Sequence, residues 1–163
     1  MKEQVNNFLT KGYAHFNEKK LIDLSKFKII NVEINDELKN DFTPEEKILI
    51  DNFVSYVNEN YVKTIYKKFD VTYCSIWDGV DIGSTKWHND SVEGFDFNVL
   101  YYFDDTNEEV GGSIEFRHSE GDDIIYPKSG DLVFINQNGN FFHKASRSKN
   151  PRRVASIEYK VYE

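Results

Sequence analysis

DDIIYPKSGDLVFINQNGNFFHKAS, residues 122–146, carries short apolar runs separated by two turn signals. Lys128-Ser129-Gly130 and Asn138-Gly139-Asn140 supply the glycine and short polar side chains that tight turns select. Between them, Asp131-Leu132-Val133-Phe134-Ile135-Asn136 is too short for a stable helix and rich in branched and aromatic residues, so it reads as a hydrophobic strand. The same texture extends both ways, with strands expected at residues 71–77, 86–90, 97–103, 113–117, 122–126, 131–136, 142–146 and 153–162. Further turns fall at Asp78-Gly79, 104–112 and 119–121.

Upstream the signals are helical. Thr43-Pro44-Glu45-Glu46 combines a capping threonine, a proline at the first helical position and a Glu three residues after the cap. Leu49, Phe53, Tyr56/Val57 and Tyr61 then recur at spacings of three and four, which predicts a helix from Pro44 to about Lys67 with one buried stripe. A short strand is expected at residues 12–16 and a short helix at 18–25, and His15 is given no chemical role. Helices first and about eight short strands afterwards predict an α+β, mainly β chain. Its strands form a double-sheet jelly roll, or double-stranded β-helix, with the N-terminal helices packed on one sheet. Residues 1–163 read as a single domain, with 1–70 as helical support and 71–163 as the jelly-roll core.

Composition excludes several function classes. Hydrophobic residues make up 39% of the chain and charged residues 29%, as in globular rather than disordered proteins. No apolar run approaches the roughly 18 residues of a membrane helix, and the first residues lack the apolar centre of a signal peptide, so a soluble, cytoplasmic protein with no membrane partner is expected. The single cysteine, Cys74, allows no internal disulfide and reads as a small buried hydrophobe in a strand. A net charge of −8 disfavours nucleic acid as a partner. The local exception is Arg147, Lys149, Arg152 and Arg153. That loop offers a hold for an acidic peptide or a nucleotide phosphate, although a solvated basic turn is its ordinary reading. Nothing in the sequence speaks to oligomeric state.

Chemistry concentrates around Trp87-His88-Asn89-Asp90. On a strand, side chains two residues apart share a face, so His88 and Asp90 point into one space. Imidazole and carboxylate suit iron, manganese or zinc, but two ligands rarely suffice, and a third must come from a distant strand. His143 is the best placed, and His118 competes from what reads as a solvated turn. Arg153, by alternation, shares a face with Ala155, Ile157 and Tyr159 and is expected to point inward. A buried guanidinium needs an anion, either a protein carboxylate or the carboxylate of a bound small molecule.

The ordered set Trp87-His88-Asn89-Asp90, residues 98–104, Gly111-Gly112-Ser113, residues 126–134, Phe142-His143-Lys144 and Arg152-Arg153-Val154 resembles the iron(II)- and 2-oxoglutarate-dependent oxygenases, particularly their prolyl 4-hydroxylase-like branch. The resemblance spans roughly residues 70–163. It implies Fe(II) held by His88, Asp90 and His143, with 2-oxoglutarate and O2 as cosubstrates and decarboxylation to succinate coupled to hydroxylation. It also implies a basic residue about ten positions after the second histidine holding the distal carboxylate, which selects Arg153 over Arg152, with Tyr102 in support. Trp77, Trp87, Leu100 and Tyr159 are the substrate-pocket candidates, and the stretch between Trp77 and Lys86 is a candidate entrance. The branch favours a prolyl, peptidyl or amino-acid substrate; a small molecule, a nucleotide or a nucleic acid is the alternative. A cupin-like metal enzyme would share the fold and histidines but has no reason for Arg153 at that spacing, and a non-catalytic jelly-roll binding domain would retain the fold without needing oxygen.

Overall fold

The computed structural model describes residues 1–18, 20–28, 42–77, 85–137 and 141–162. Two antiparallel sheets face each other. The larger contains, in spatial order, β1 (Tyr13–Asn17), β6 (Asp131–Asn136), β3 (Phe97–Tyr102), β8 (Val154–Val161) and β2 (Phe69–Trp77). The smaller is ordered β5 (Gly121–Ile125), β4 (Ile114–His118) and β7 (Phe142–Ala145). This is the jelly roll expected from the sequence.

Strands β3 and β6 lie inside the larger sheet and are buried at every position. Each is covered on both sides, which is why Leu132-Val133-Phe134-Ile135 shows no polar alternation. One face packs against helices α1 (Lys2–Thr10) and α2 (Pro44–Val57) through Phe8, Phe53, Val57, Phe97, Val99, Tyr101, Leu132, Phe134, Ala155, Ile157 and Tyr159. The other face meets the smaller sheet through Leu100, Tyr102, Val133, Ile135 and Val154 against Ile114 and Phe116.

Local chemistry explains the main boundaries. At the start of α2, the Thr43 hydroxyl accepts from the Glu46 N–H at 3.2 Å and the Glu46 carboxylate accepts from the Thr43 N–H at 2.7 Å, a complete capping box. Helical structure continues to Ile65, through a π-turn at Asn58–Val62 and a final α-turn, α3 (Lys63–Ile65). The turn before β6 is closed by Asp131, whose carboxylate accepts from the Lys128 N–H at 2.8 Å, and by Gly130 at φ 93°, a conformation most side chains avoid. Before β4, Gly111 has φ 77°, and a Cβ there would lie 2.2 Å from the Arg147 carbonyl oxygen. Only glycine allows that approach.

Three expectations are corrected and one helix is added. The described residues of 18–25 form no α-helix; the segment instead ends in a 3-10 turn at Leu24–Lys26. Conversely, Lys2–Thr10 is helical although its amino end has no side-chain cap and it buries only Phe8, so it left little signal. Residues 86–90 are not a strand, since only His88 pairs, in an isolated bridge with His143, and Ser91–Glu93 then forms a 3-10 turn. His118 is not solvated: its side chain is only 3% exposed and its Nε2 lies 2.9 Å from Asp123 Oδ2. The turns at Asp78-Gly79 and Asn138-Gly139-Asn140, and most of the candidate entrance between Trp77 and Lys86, lie outside the described residues. No helix among the described residues is long and apolar enough to cross a membrane.

Candidate metal centre and its cavity

His143 projects from β7, and the backbone bridge brings His88 beside it. The His88 N–H donates to the His143 carbonyl at 3.0 Å, and the His143 N–H donates back at 2.9 Å. Their rings consequently lie 4.2 Å apart between centroids. Asp90 follows two residues later, with Oδ1 at 3.5 Å from His88 Nε2 and Oδ2 at 3.4 Å from His143 Nε2. One ligand atom from each of the three residues lies within 4.8 Å of the others. Pairing with His143, rather than membership of a regular strand, aims His88 and Asp90 into the same space.

The donor set fits a divalent transition metal. His88 Nδ1 lies 2.9 Å from the Lys86 carbonyl oxygen. A carbonyl can only accept, so Nδ1 carries the proton and Nε2 presents its lone pair toward the site. Burial pushes the Asp90 carboxyl up, but His143, His88 and the Gln137 amide outweigh that effect and hold its pKa below the usual value. The carboxylate is therefore ionised near neutrality. Two imidazole nitrogens and one carboxylate oxygen make a facial set that leaves ligand positions open on an octahedral metal ion.

These groups sit at the wall of a cavity of about 190 Å³ between the two sheets. Trp77, Leu100, Ile114, Ile135 and Ala145 make its apolar surface, while Asn98, Ser156 and Arg152 supply further polar groups. Arg152 is 3% exposed, and its Nη2 lies 3.4 Å from the Tyr102 hydroxyl. A buried guanidinium at the wall of this cavity, with a phenol beside it, forms a cradle suited to a carboxylate, because the low-dielectric surroundings strengthen the attraction and the guanidinium can donate two parallel hydrogen bonds.

The structure separates the candidate residues. His88, Asp90 and His143 come together, Trp77 and Leu100 line the same cavity, and Tyr102 contacts its arginine. Arg153 does not face the cavity. Its side chain is 37% exposed, and its Nε donates to Asp104 Oδ2 at 2.8 Å while Nη2 pairs with Oδ1. The anion it was expected to need is a protein carboxylate. Tyr159 is also displaced, to the helix side, where it stacks on Phe97 at 4.5 Å and donates to Asn58 Oδ1 at 2.8 Å. Trp87 lies outside the cavity, with the Arg117 guanidinium 4.1 Å and the Lys144 ammonium 4.8 Å from its ring centre. Cys74 is half-buried against the helix-side core, as a small hydrophobe would be.

Register explains why Arg152, and not Arg153, lines the cavity. Residues directly opposite across antiparallel strands share a face. Leu100 pairs with Ser156 and Tyr102 with Val154, so the cavity face of β8 continues to Arg152, not Arg153. The polar Ser156, among apolar alternating neighbours, was the available signal. Asn98 and Gln137 were also missed, because a neutral amide carries no motif.

No protein-family model and no curated protein sequence matches the chain. Solved structures do share its fold. An oxidoreductase of the 2OG-Fe(II) oxygenase family from Burkholderia pseudomallei superposes with a TM-score of 0.73 at 10% identity, over 98% of this chain and 90% of that one. A prolyl hydroxylase from Trichoplax adhaerens, in complex with a hypoxia inducible factor oxygen degradation domain peptide fragment, gives 0.69 at 14% identity, over 98% and 88%. The non-heme alpha ketoglutarate dependent epimerase SnoN from nogalamycin biosynthesis gives 0.65 at 11% identity, over 98% and 82%. At these identities the likeness establishes the jelly-roll fold.

Proposed function

We propose that this protein is an Fe(II)- and 2-oxoglutarate-dependent oxygenase that hydroxylates a prolyl, peptidyl or amino-acid group. The observation that carries this reading is the convergence of His88, Asp90 and His143 in a cavity that also holds a buried arginine. A metal site alone suits many enzymes, but a metal site sharing a small apolar cavity with a carboxylate cradle suits a keto-acid cosubstrate. The same fold in 2OG-Fe(II) oxygenases supports it.

His88 and His143 would hold the iron as neutral ligands and Asp90 as an anionic one. When bound, iron and 2-oxoglutarate would supply the activation of O2, one oxygen atom ending in succinate as CO2 is lost from the keto acid and the other in the hydroxylated product. The chain's own residues bind and orient. Arg152 would take the distal carboxylate, with Tyr102 positioning its guanidinium. Trp77, Leu100, Ile114 and Ile135 exclude water from the ion pair. The substrate class rests on the prolyl hydroxylases that share the fold, one of them in complex with a peptide fragment.

Anaerobic addition of Fe(II) and then 2-oxoglutarate is expected to produce the weak visible charge-transfer band of an iron-chelated keto acid. His143→Ala is expected to abolish it. Tight metal binding without any such band would overturn the keto-acid assignment and leave a cupin-like metal protein. A screen of peptides, amino acids and small molecules for a gain of one oxygen, run beside a succinate assay, tests the substrate class. Because an epimerase shares the fold, the screen also records inverted stereochemistry without mass gain.

A further inference from the structure

Gln137 lies just beyond the end of β6 and is completely buried. Its side chain meets Asp90 twice. The Asp90 backbone N–H donates to Gln137 Oε1 at 3.0 Å, and Gln137 Nε2 donates to Asp90 Oδ2 at 3.2 Å. The same Nε2 lies 3.1 Å from Asn98 Oδ1, which completes its second donor. Its backbone is also tied down, with the Gln137 N–H bonded to the Asp96 carbonyl at 3.0 Å.

The pattern is specific to an amide. A backbone N–H can only donate and an ionised carboxylate can only accept, so the group facing both must offer one acceptor and one donor from a single head. Glutamate would place an acceptor against an acceptor, and an apolar side chain would leave both partners buried and unsatisfied. Asp90 alone fixes the orientation of the Gln137 amide, whichever way Asn98 is turned.

We propose that Gln137 is a positioning residue that makes Asp90 a one-oxygen metal ligand, by occupying Oδ2 and leaving Oδ1 for the ion. This rests on the metal assignment above. A carboxylate free to bind through both oxygens would take a ligand position that the keto acid or oxygen requires. Gln137 thus sets how many positions stay open, without itself touching metal or substrate. Partners that orient metal ligands typically change metal affinity by about 10–100-fold when removed.

The test uses Gln137→Met, close in shape but without the amide, and Gln137→Glu, which retains an acceptor for the Asp90 N–H. Anaerobic Fe(II) titration of both variants is expected to show affinity about 10–100-fold below wild type. The visible spectrum of the Co(II)-loaded forms is expected to show altered coordination, and a thermal melt without metal measures any purely structural loss. The wild-type protein gives a reading that needs no variant. Adding diamagnetic Zn(II) is expected to shift the Gln137 side-chain amide resonances, which burial and two hydrogen bonds are expected to protect from solvent exchange even without metal. Unchanged Gln137 amide resonances on Zn(II) binding, or wild-type affinity and Co(II) spectrum in a folded variant, would overturn this inference alone. A wild-type protein that binds no Fe(II) would overturn it together with the metal assignment.

Discussion

The two faces of the larger sheet are made by the same strands and differ in every physical respect. On the helix side, Ala155, Ile157 and Tyr159 of β8 join Phe97, Val99 and Tyr101 of β3 in a continuous hydrophobic core. On the other side, one residue out of step, Val154 and Ser156 meet Leu100 and Tyr102, and the surface gives way to a cavity containing Arg152. One face is filled and the other is left partly open. The filled face carries stability, and the open one has room for chemistry.

The largest effect expected to separate them is Tyr159→Ala. Removing a fully buried aromatic ring, its stack on Phe97 and its bond to Asn58 is expected to cost about 3–5 kcal/mol, read as a lower urea midpoint. Metal affinity of the folded fraction is expected to stay at the wild-type value. A loss of metal binding matching the loss of stability would mean that the faces are not independent.

The adjacent arginines give the sharpest contrast. Arg152→Leu is expected to weaken 2-oxoglutarate binding to the iron-loaded protein by about 2–5 kcal/mol, roughly 30-fold to several-thousand-fold. Arg153→Leu is expected to leave that affinity unchanged and to lower stability by about 1 kcal/mol or less, since its pair with Asp104 is partly exposed. Keto-acid titration beside a melt of each variant decides; the reverse pattern would return the clamp to Arg153.

A smaller effect is expected where β1 meets the smaller sheet. The Tyr13 hydroxyl donates to Asp123 Oδ2 at 2.7 Å, and this bond, foremost, with help from His118 and Lys11 and against a burial cost, holds the Asp123 carboxyl below its usual pKa. A carboxylate depressed in the folded state stabilises the protein above its unfolded pKa, and that contribution disappears as pH falls through the folded value. Tyr13→Phe is therefore expected to lower stability by about 1 kcal/mol or less at neutral pH and to converge on wild type as pH falls, which flattens the acid limb of the profile read from urea melts.

The smallest perturbation is a chemical probe of the filled face. Burial, with Asp51 and Glu158 adding, pushes the Cys74 thiol up to about 12. At pH 8 it is a poor nucleophile, so a thiol reagent is expected to label the folded protein far more slowly than the unfolded chain. Rapid labelling would show the helix-side core opening at the β2 edge.

Much of this was legible in the residues. The capping box at Thr43 and the strands around 97–102, 114–118 and 131–136 are written in local preference and periodicity, which depend on neighbours in the chain. His88, Asp90 and His143 could be chosen because metal chemistry needs those side chains in numbers a short sequence rarely supplies. The second turn signal of the opening stretch, at Asn138-Gly139-Asn140, lies outside the described residues. Gln137, beside it, carried no signal, because its role exists only once Asp90 is folded against it.

By itself the sequence determined which residues of each strand stand together: Arg152 with Val154 and Ser156, Arg153 with Ala155 and Ile157. That follows from the two-residue repeat of an extended chain. Which set faces the cavity was decided only by tertiary structure. The pairing of Tyr102 with Val154 and the seating of α1 and α2 on the opposite face are contacts between distant segments. A shift of one residue reverses every side chain while leaving local preference unchanged, so alternation alone could not tell the cavity arginine from the one paired with Asp104.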